Sequence, residues 1–158
     1  MVDYLPLYLE KRYHRKRSVK DLDLAIVLWQ KIVQHISKVH PSRHTLLDAF
    51  ENCVQLRFEL HHHISDINLL INLRRDIIAE MENNSDSDWK WVQTLELASA
   101  FIHRYEITGS ESITDLIHAM ILYGDALEQI PEDDPRYMQL FVQRRNMVLE
   151  LCRLTLVE

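Results

Sequence analysis

Apolar residues along this chain fall three and four apart, and the resulting stripe recurs. Leu22, Ala25, Ile26, Leu28, Ile32, Val33 and Ile36 form one set. They correspond to Ile67, Leu70, Ile71, Leu73, Ile77, Ile78 and Met81, and then to Leu116, Ala119, Met120, Leu122, Ala126, Leu127 and Ile130. That spacing is the buried face of an α-helix, present three times. Each set opens on a related triplet: Asp21-Leu22-Asp23, Asp66-Ile67-Asn68 and Asp115-Leu116-Ile117. Recurrence at such distances is the mark of a helical-repeat architecture.

A second helix follows each first one. Pro41 and Pro135 stand in equivalent register, each expected in a helix's first turn. Asp134 is an N-cap candidate, as are Asp86 and Ser87 in the middle copy. Two second helices close on Arg57-Phe58-Glu59 and Arg104-Tyr105-Glu106. Arg12-Tyr13-His14 precedes Asp21 by the offset that separates Arg57 from Asp66, so the chain opens within a repeat. The pattern predicts seven helices at about 4–15, 19–37, 43–61, 65–83, 88–107, 113–130 and 135–156. Short links make successive helices antiparallel neighbours. The expected fold is all-α: helical hairpins stacked as a right-handed solenoid, in one domain over 1–158. Its parts are a half repeat at 4–17 and repeats at 18–63, 64–112 and 113–158.

The run Asp21-Leu22-Asp23-Leu24-Ala25-Ile26, then His40-Pro41-Ser42-Arg43, then Arg57-Phe58-Glu59, resembles one unit of the tetratricopeptide-like arrays of fungal proteins. Such arrays often stand beside a caspase-like peptidase domain of the CHAT type. Arg104-Tyr105-Glu106-Ile107-Thr108-Gly109 is similar to that family's unit end. The resemblance runs from about Leu5 onward. It departs from the family at Cys53 and at Ala98-Ser99-Ala100, where small residues let helices approach, and at Arg153-Leu154-Thr155, which lacks an aromatic. It implies a stacked fold and a general binding role. It names no ligand, and no catalytic residue carries over.

Composition agrees with helices. Glycine occurs twice and proline four times in 158 residues, too few for the turns of a sheet protein. The longest apolar stretch, Leu24 to Trp29, cannot cross a bilayer, and no secretory signal opens the chain. A cytoplasmic or nuclear location is expected. Cys53 and Cys152 are expected to be buried, reduced thiols. The net charge of −6 argues against a whole-surface nucleic-acid binder. The basic segment Lys11, Arg12, Arg15, Lys16 and Arg17 could touch phosphates, but no aromatic platform accompanies it. Helix-terminal cations facing the helix dipole are the simpler reading.

First-helix positions that differ between copies are the candidate partner-binding groove. These are Val27, Gln30, Lys31 and Gln34, then Asn72, Arg75, Asp76 and Ala79, then Ile121, Gly124, Asp125 and Glu128. An ordinary solvated face is the competing explanation. Trp29, Trp89, Trp91 and Tyr123 could anchor a partner or simply fill the core. Glu59 with His62, and Asp115 with His118, have the spacing of carboxylate–histidine pairs in di-metal bundles. The repeat register puts Glu59 and Asp115 at helix ends, where they are not expected to meet. Neither catalytic nor metal-ligating residues are assigned, and no cofactor is expected. The chain reads as a non-catalytic adaptor for a protein or peptide segment. A helical di-metal enzyme and a nucleic-acid-associated protein are the alternatives. The apolar ends, Tyr4 to Leu9 and Met147 to Val157, suggest self-association or burial against a partner.

Overall fold

The computed structural model describes residues 4–83, 90–109 and 113–156. Among them are seven helices and no strand: α1 Leu5–Lys16, α2 Val19–His35, α3 Arg43–His61, α4 Ile64–Asn83, α5 Lys90–Thr108, α6 Ile113–Gln129 and α7 Tyr137–Thr155. The expected helices are all present, with ends displaced by a few residues. Trp89, Asp86 and Ser87 lie outside the described residues. No described helix is long and apolar enough to cross a membrane.

The chain divides into two compact units, Met1–Leu73 and Arg74–Glu158, the division falling within α4. In the first unit α1 packs on α2 and α2 on α3. The core holds Leu9, Tyr13, Leu22, Ala25, Ile26, Trp29, Leu47, Phe50 and Val54, all nearly inaccessible. Arg43, at the start of α3, donates to the carbonyls of Val33 and Ile36 at 3.2 and 3.3 Å. A buried guanidinium therefore satisfies acceptors that α2 leaves open at its C-terminal end.

In the second unit α5 packs on α6 and α6 on α7. Ala98, Ala100 and Phe101 meet a core that includes Leu116, Ala119, Ala126 and Leu127. Alanines at these places let two helix backbones come close, as the small-residue run in α5 suggests. Arg74 is buried at the base of this unit, where its guanidinium donates to the Glu96 carbonyl at 2.6 Å and approaches the Glu96 carboxylate at 3.3 Å.

Two local expectations need correction. Pro41 and Pro135 stand in the turns before α3 and α7, which begin two residues later at Arg43 and Tyr137. The Asp134 carboxylate accepts the Arg136 N–H at 2.9 Å and its guanidinium at 2.8 and 2.6 Å, so this stretch is an Asp-closed turn and not the first helical turn. Cys152 is exposed, whereas Cys53 is buried as expected. Periodicity puts Cys152 on the apolar face of α7, but nothing among the described residues covers that face there.

Candidate functional site

The feature that orders the repeats is an ion pair that recurs at each passage from a second helix to the following first helix. Arg12 donates to both carboxylate oxygens of Asp21 at 2.7 and 2.6 Å. Arg57 does the same to Asp66 at 3.2 and 2.7 Å, and Arg104 to Asp115 at 2.7 and 2.6 Å. A planar guanidinium matches two carboxylate oxygens, which fixes orientation as well as distance. Each aspartate is the third residue of its helix, where the exposed N–H groups favour negative charge. Each is buried. Hydrogen bonding to Arg12 holds the Asp21 carboxyl below its ordinary range, and the pairing raises Arg12 and Arg104 in return. Arg57 also reaches Asp23 at 3.0 Å.

Five residues after each of these arginines the backbone turns left-handed. Arg17, His62 and Gly109 have φ of 54°, 50° and 68°. The N–H groups of Arg17 and His62 bond back to the carbonyls of Tyr13 and Phe58, both at 2.7 Å. That is the αL closure of a helix, and it reverses the chain tightly enough for arginine and aspartate to meet. The sequence shows the offset between the charges. What it does not announce is that they bond; opposite charges held at fixed spacing across a short link are the signal that finds it.

In the second unit the structure opens a groove of about 470 Å³ among α4, α5 and α6. Arg75 and Ala79 come from α4, and Asp125 and Glu128 from α6. Ile78, Leu97 and Leu122 supply its apolar surface, while Lys90, Thr94 and Gln129 complete the polar rim. The Arg75 guanidinium also lies 5.4 Å from the centre of the Phe101 ring. The groove thus carries two cations and two carboxylates around an apolar floor. Such a lining can hold an extended or helical segment by charge and by apolar contact, and it contains no nucleophile paired with a base.

Of the other candidate positions, Asp76 and Ile121 are exposed outside this groove, and Gly124 is buried beneath the Arg144 guanidinium. In the first unit Val27, Lys31 and Gln34 are exposed on α2, Gln30 is half-buried there, and Asn72 is exposed on α4. Periodicity alone misses Lys90, Thr94 and Leu97, because they belong to a second helix. Trp29 and Tyr123 belong to the core, and Trp91 carries the Arg136 guanidinium 4.4 Å above its ring.

The carboxylate–histidine pairs have other engagements. Both Asp115 oxygens are taken by Arg104, and the His118 ring lies 5.0 Å from Phe101. Glu59 accepts from Gln55 at 2.9 Å. Among the described residues no group of three or more potential ligands is placed to hold a metal ion. Within the basic segment, Arg12 is bound to Asp21 and Arg17 lies over Tyr13 at 5.7 Å. No family model, curated protein or solved structure matches the chain.

Proposed function

We propose that this chain is a non-catalytic, tetratricopeptide-like adaptor of the cell interior, its hairpins stacked as a solenoid, that holds a segment of another protein. The observation that carries the reading is the groove lined by Arg75, Asp125 and Glu128 over Ile78, Leu97 and Leu122. Its polar members come largely from first helices, at positions that differ in chemistry from copy to copy while the buried stripe stays apolar. Conserved stacking with a varied open face is what a repeat protein needs to recognise a partner. Mixed charge favours a partner segment that carries both signs beside apolar anchors.

The test is capture of partners from native extract, with identification by mass spectrometry. The Arg75→Glu and Glu128→Lys variants should both lose the captured protein, with the melting curve of Glu128→Lys matching the parent and that of Arg75→Glu lowered only slightly by loss of the Phe101 contact. Undiminished capture by both variants removes the groove from the account.

A further inference from the structure

The turns that leave α2 and α6 share one backbone pattern. Ile36, His40, Arg43 and Leu46 donate their N–H groups to the carbonyls of Ile32, Ser37, His40 and Ser42. At the offset from Pro41 to Pro135 the same bonds reappear, from Ile130, Asp134, Tyr137 and Leu140 to Ala126, Pro131, Asp134 and Arg136. What differs is how the first helix ends. After α2 the buried Arg43 guanidinium takes the carbonyls of Val33 and Ile36. The equivalent carbonyls after α6 belong to Leu127 and Ile130, and the residue equivalent to Arg43 is Tyr137. Lys90 holds that place in the middle copy, so the third copy alone lacks a cation there. Pro131 has no N–H to give the Leu127 carbonyl its helical bond. Among the described residues nothing donates to either carbonyl.

In place of that guanidinium the third copy has a cavity of about 450 Å³, walled by Leu127, Ile130 and Tyr137. Glu128 and Glu132 line it with two carboxylates, neither bonded to a described residue, and Phe141 adds an exposed ring. The chain's own guanidinium groups are placed otherwise. Arg136 is bound by Asp134 and laid on Trp91, and Arg144, on the cavity wall, lies against Gly124. We infer that this cavity takes the guanidinium of an arginine side chain from the partner segment, donating to the Leu127 and Ile130 carbonyls as Arg43 donates to those of Val33 and Ile36. Glu128 and Glu132 supply the countercharge, and the negative end of α6 adds to it. The Tyr137 and Phe141 rings suit a planar cation. Glu128 also lines the α4–α5–α6 groove, so the two cavities adjoin across α6. Placing the arginine on a segment rests on the adaptor reading; the guanidinium site itself does not.

The probe is Nα-acetyl-arginine amide, titrated into the isotopically labelled full chain and read by backbone amide shifts. Saturable shifts at Leu127, Ile130, Glu132 and Tyr137 are expected, with a Kd on the order of millimolar. The citrulline counterpart keeps the shape and loses the charge, and should bind about fivefold more weakly or worse. Tyr137→Arg, which restores the first copy's guanidinium, should abolish the binding, whereas Tyr137→Phe and the groove variant Arg75→Glu should leave it unchanged. Glu132→Gln, outside the groove, should weaken both the probe and capture of the partner from extract. No saturable shift, equal binding of citrulline, or full binding to Tyr137→Arg overturns the inference. Capture untouched by Glu132→Gln overturns the segment and gives the cavity to a free guanidinium compound. Failure of the adaptor reading shows differently, as absent capture with the probe still seated at Leu127 and Ile130.

Discussion

Arg104 and Asp115 meet through two hydrogen bonds of 2.7 and 2.6 Å, with the aspartate all but inaccessible to water. The same joint forms between Arg12 and Asp21 and between Arg57 and Asp66. Because the carboxylate is buried and the guanidinium only partly so, the two partners are not energetically equivalent. Loss of arginine strands a charge away from water, whereas loss of both removes the problem.

A double-mutant cycle follows from that asymmetry. Arg104→Met should cost about 2–3 kcal/mol, below the range for fully buried pairs because the arginine keeps some contact with solvent. Arg104→Met combined with Asp115→Leu should cost less than the sum of the single changes, with a coupling of about 1–2 kcal/mol. Urea unfolding of the four proteins measures it. Additive costs would mean that the pair is a surface ornament.

Acid should loosen the fold through groups held ionised in the native state. Hydrogen bonds from the Arg136 guanidinium and then its N–H hold Asp134 at about 2, and Arg12 lowers Asp21. An unfolded aspartate takes up its proton near 3.8, so between that pH and about 2 the unfolded chain binds protons that the native one refuses. The stabilisation is complete above pH 4 and is lost as the pH falls toward 2. Melting temperature followed by circular dichroism should drop across this interval, and less so in Asp134→Asn.

The backbone makes a prediction of its own. His62 occupies the left-handed position that Gly109 fills one repeat later. His62→Gly should stabilise the chain by about 0.5–1 kcal/mol, because glycine adopts that conformation without crowding its Cβ. Arg17→Gly should gain a similar amount, since each change forfeits one ring contact, Arg17 with Tyr13 and His62 with Phe58. Thermal melts decide both.

The cysteines should separate in reactivity. Burial and the nearby Glu10 carboxylate push the Cys53 thiol up to about 12, while Cys152 is exposed. A thiol reagent on the native protein should label one cysteine rapidly and the second only after denaturation. Two fast thiols would contradict the packing around Cys53.

Much of this architecture was legible before any coordinates. The stripes through Leu22, Ile67 and Leu116 mark the first helices because burial forces apolar residues onto one side, and all three are buried. Arg75, Asp125 and Glu128 could be singled out as varied positions beside a constant stripe. Their meeting around Leu97 and Lys90 could not, since periodicity within one helix says nothing about which neighbour closes a groove. Cys152 shows the same limit: a side chain's face can be read from spacing, but whether another helix lies over that face depends on tertiary packing. The Arg–Asp joints were visible as an offset and invisible as a bond, because the turn that brings the charges together rests on left-handed Arg17 and His62, residues whose identity does not advertise it.

The most direct test of the adaptor reading is photo-crosslinking from single positions in native extract. Benzoylphenylalanine at position 125 or 79, inside the groove, should crosslink one protein in common, and Arg75→Glu should abolish the product. The same group at Glu106, on the exposed side of α5 outside the groove, should give none of that product. Equal crosslinking from both faces, or none from the groove, would contradict the account.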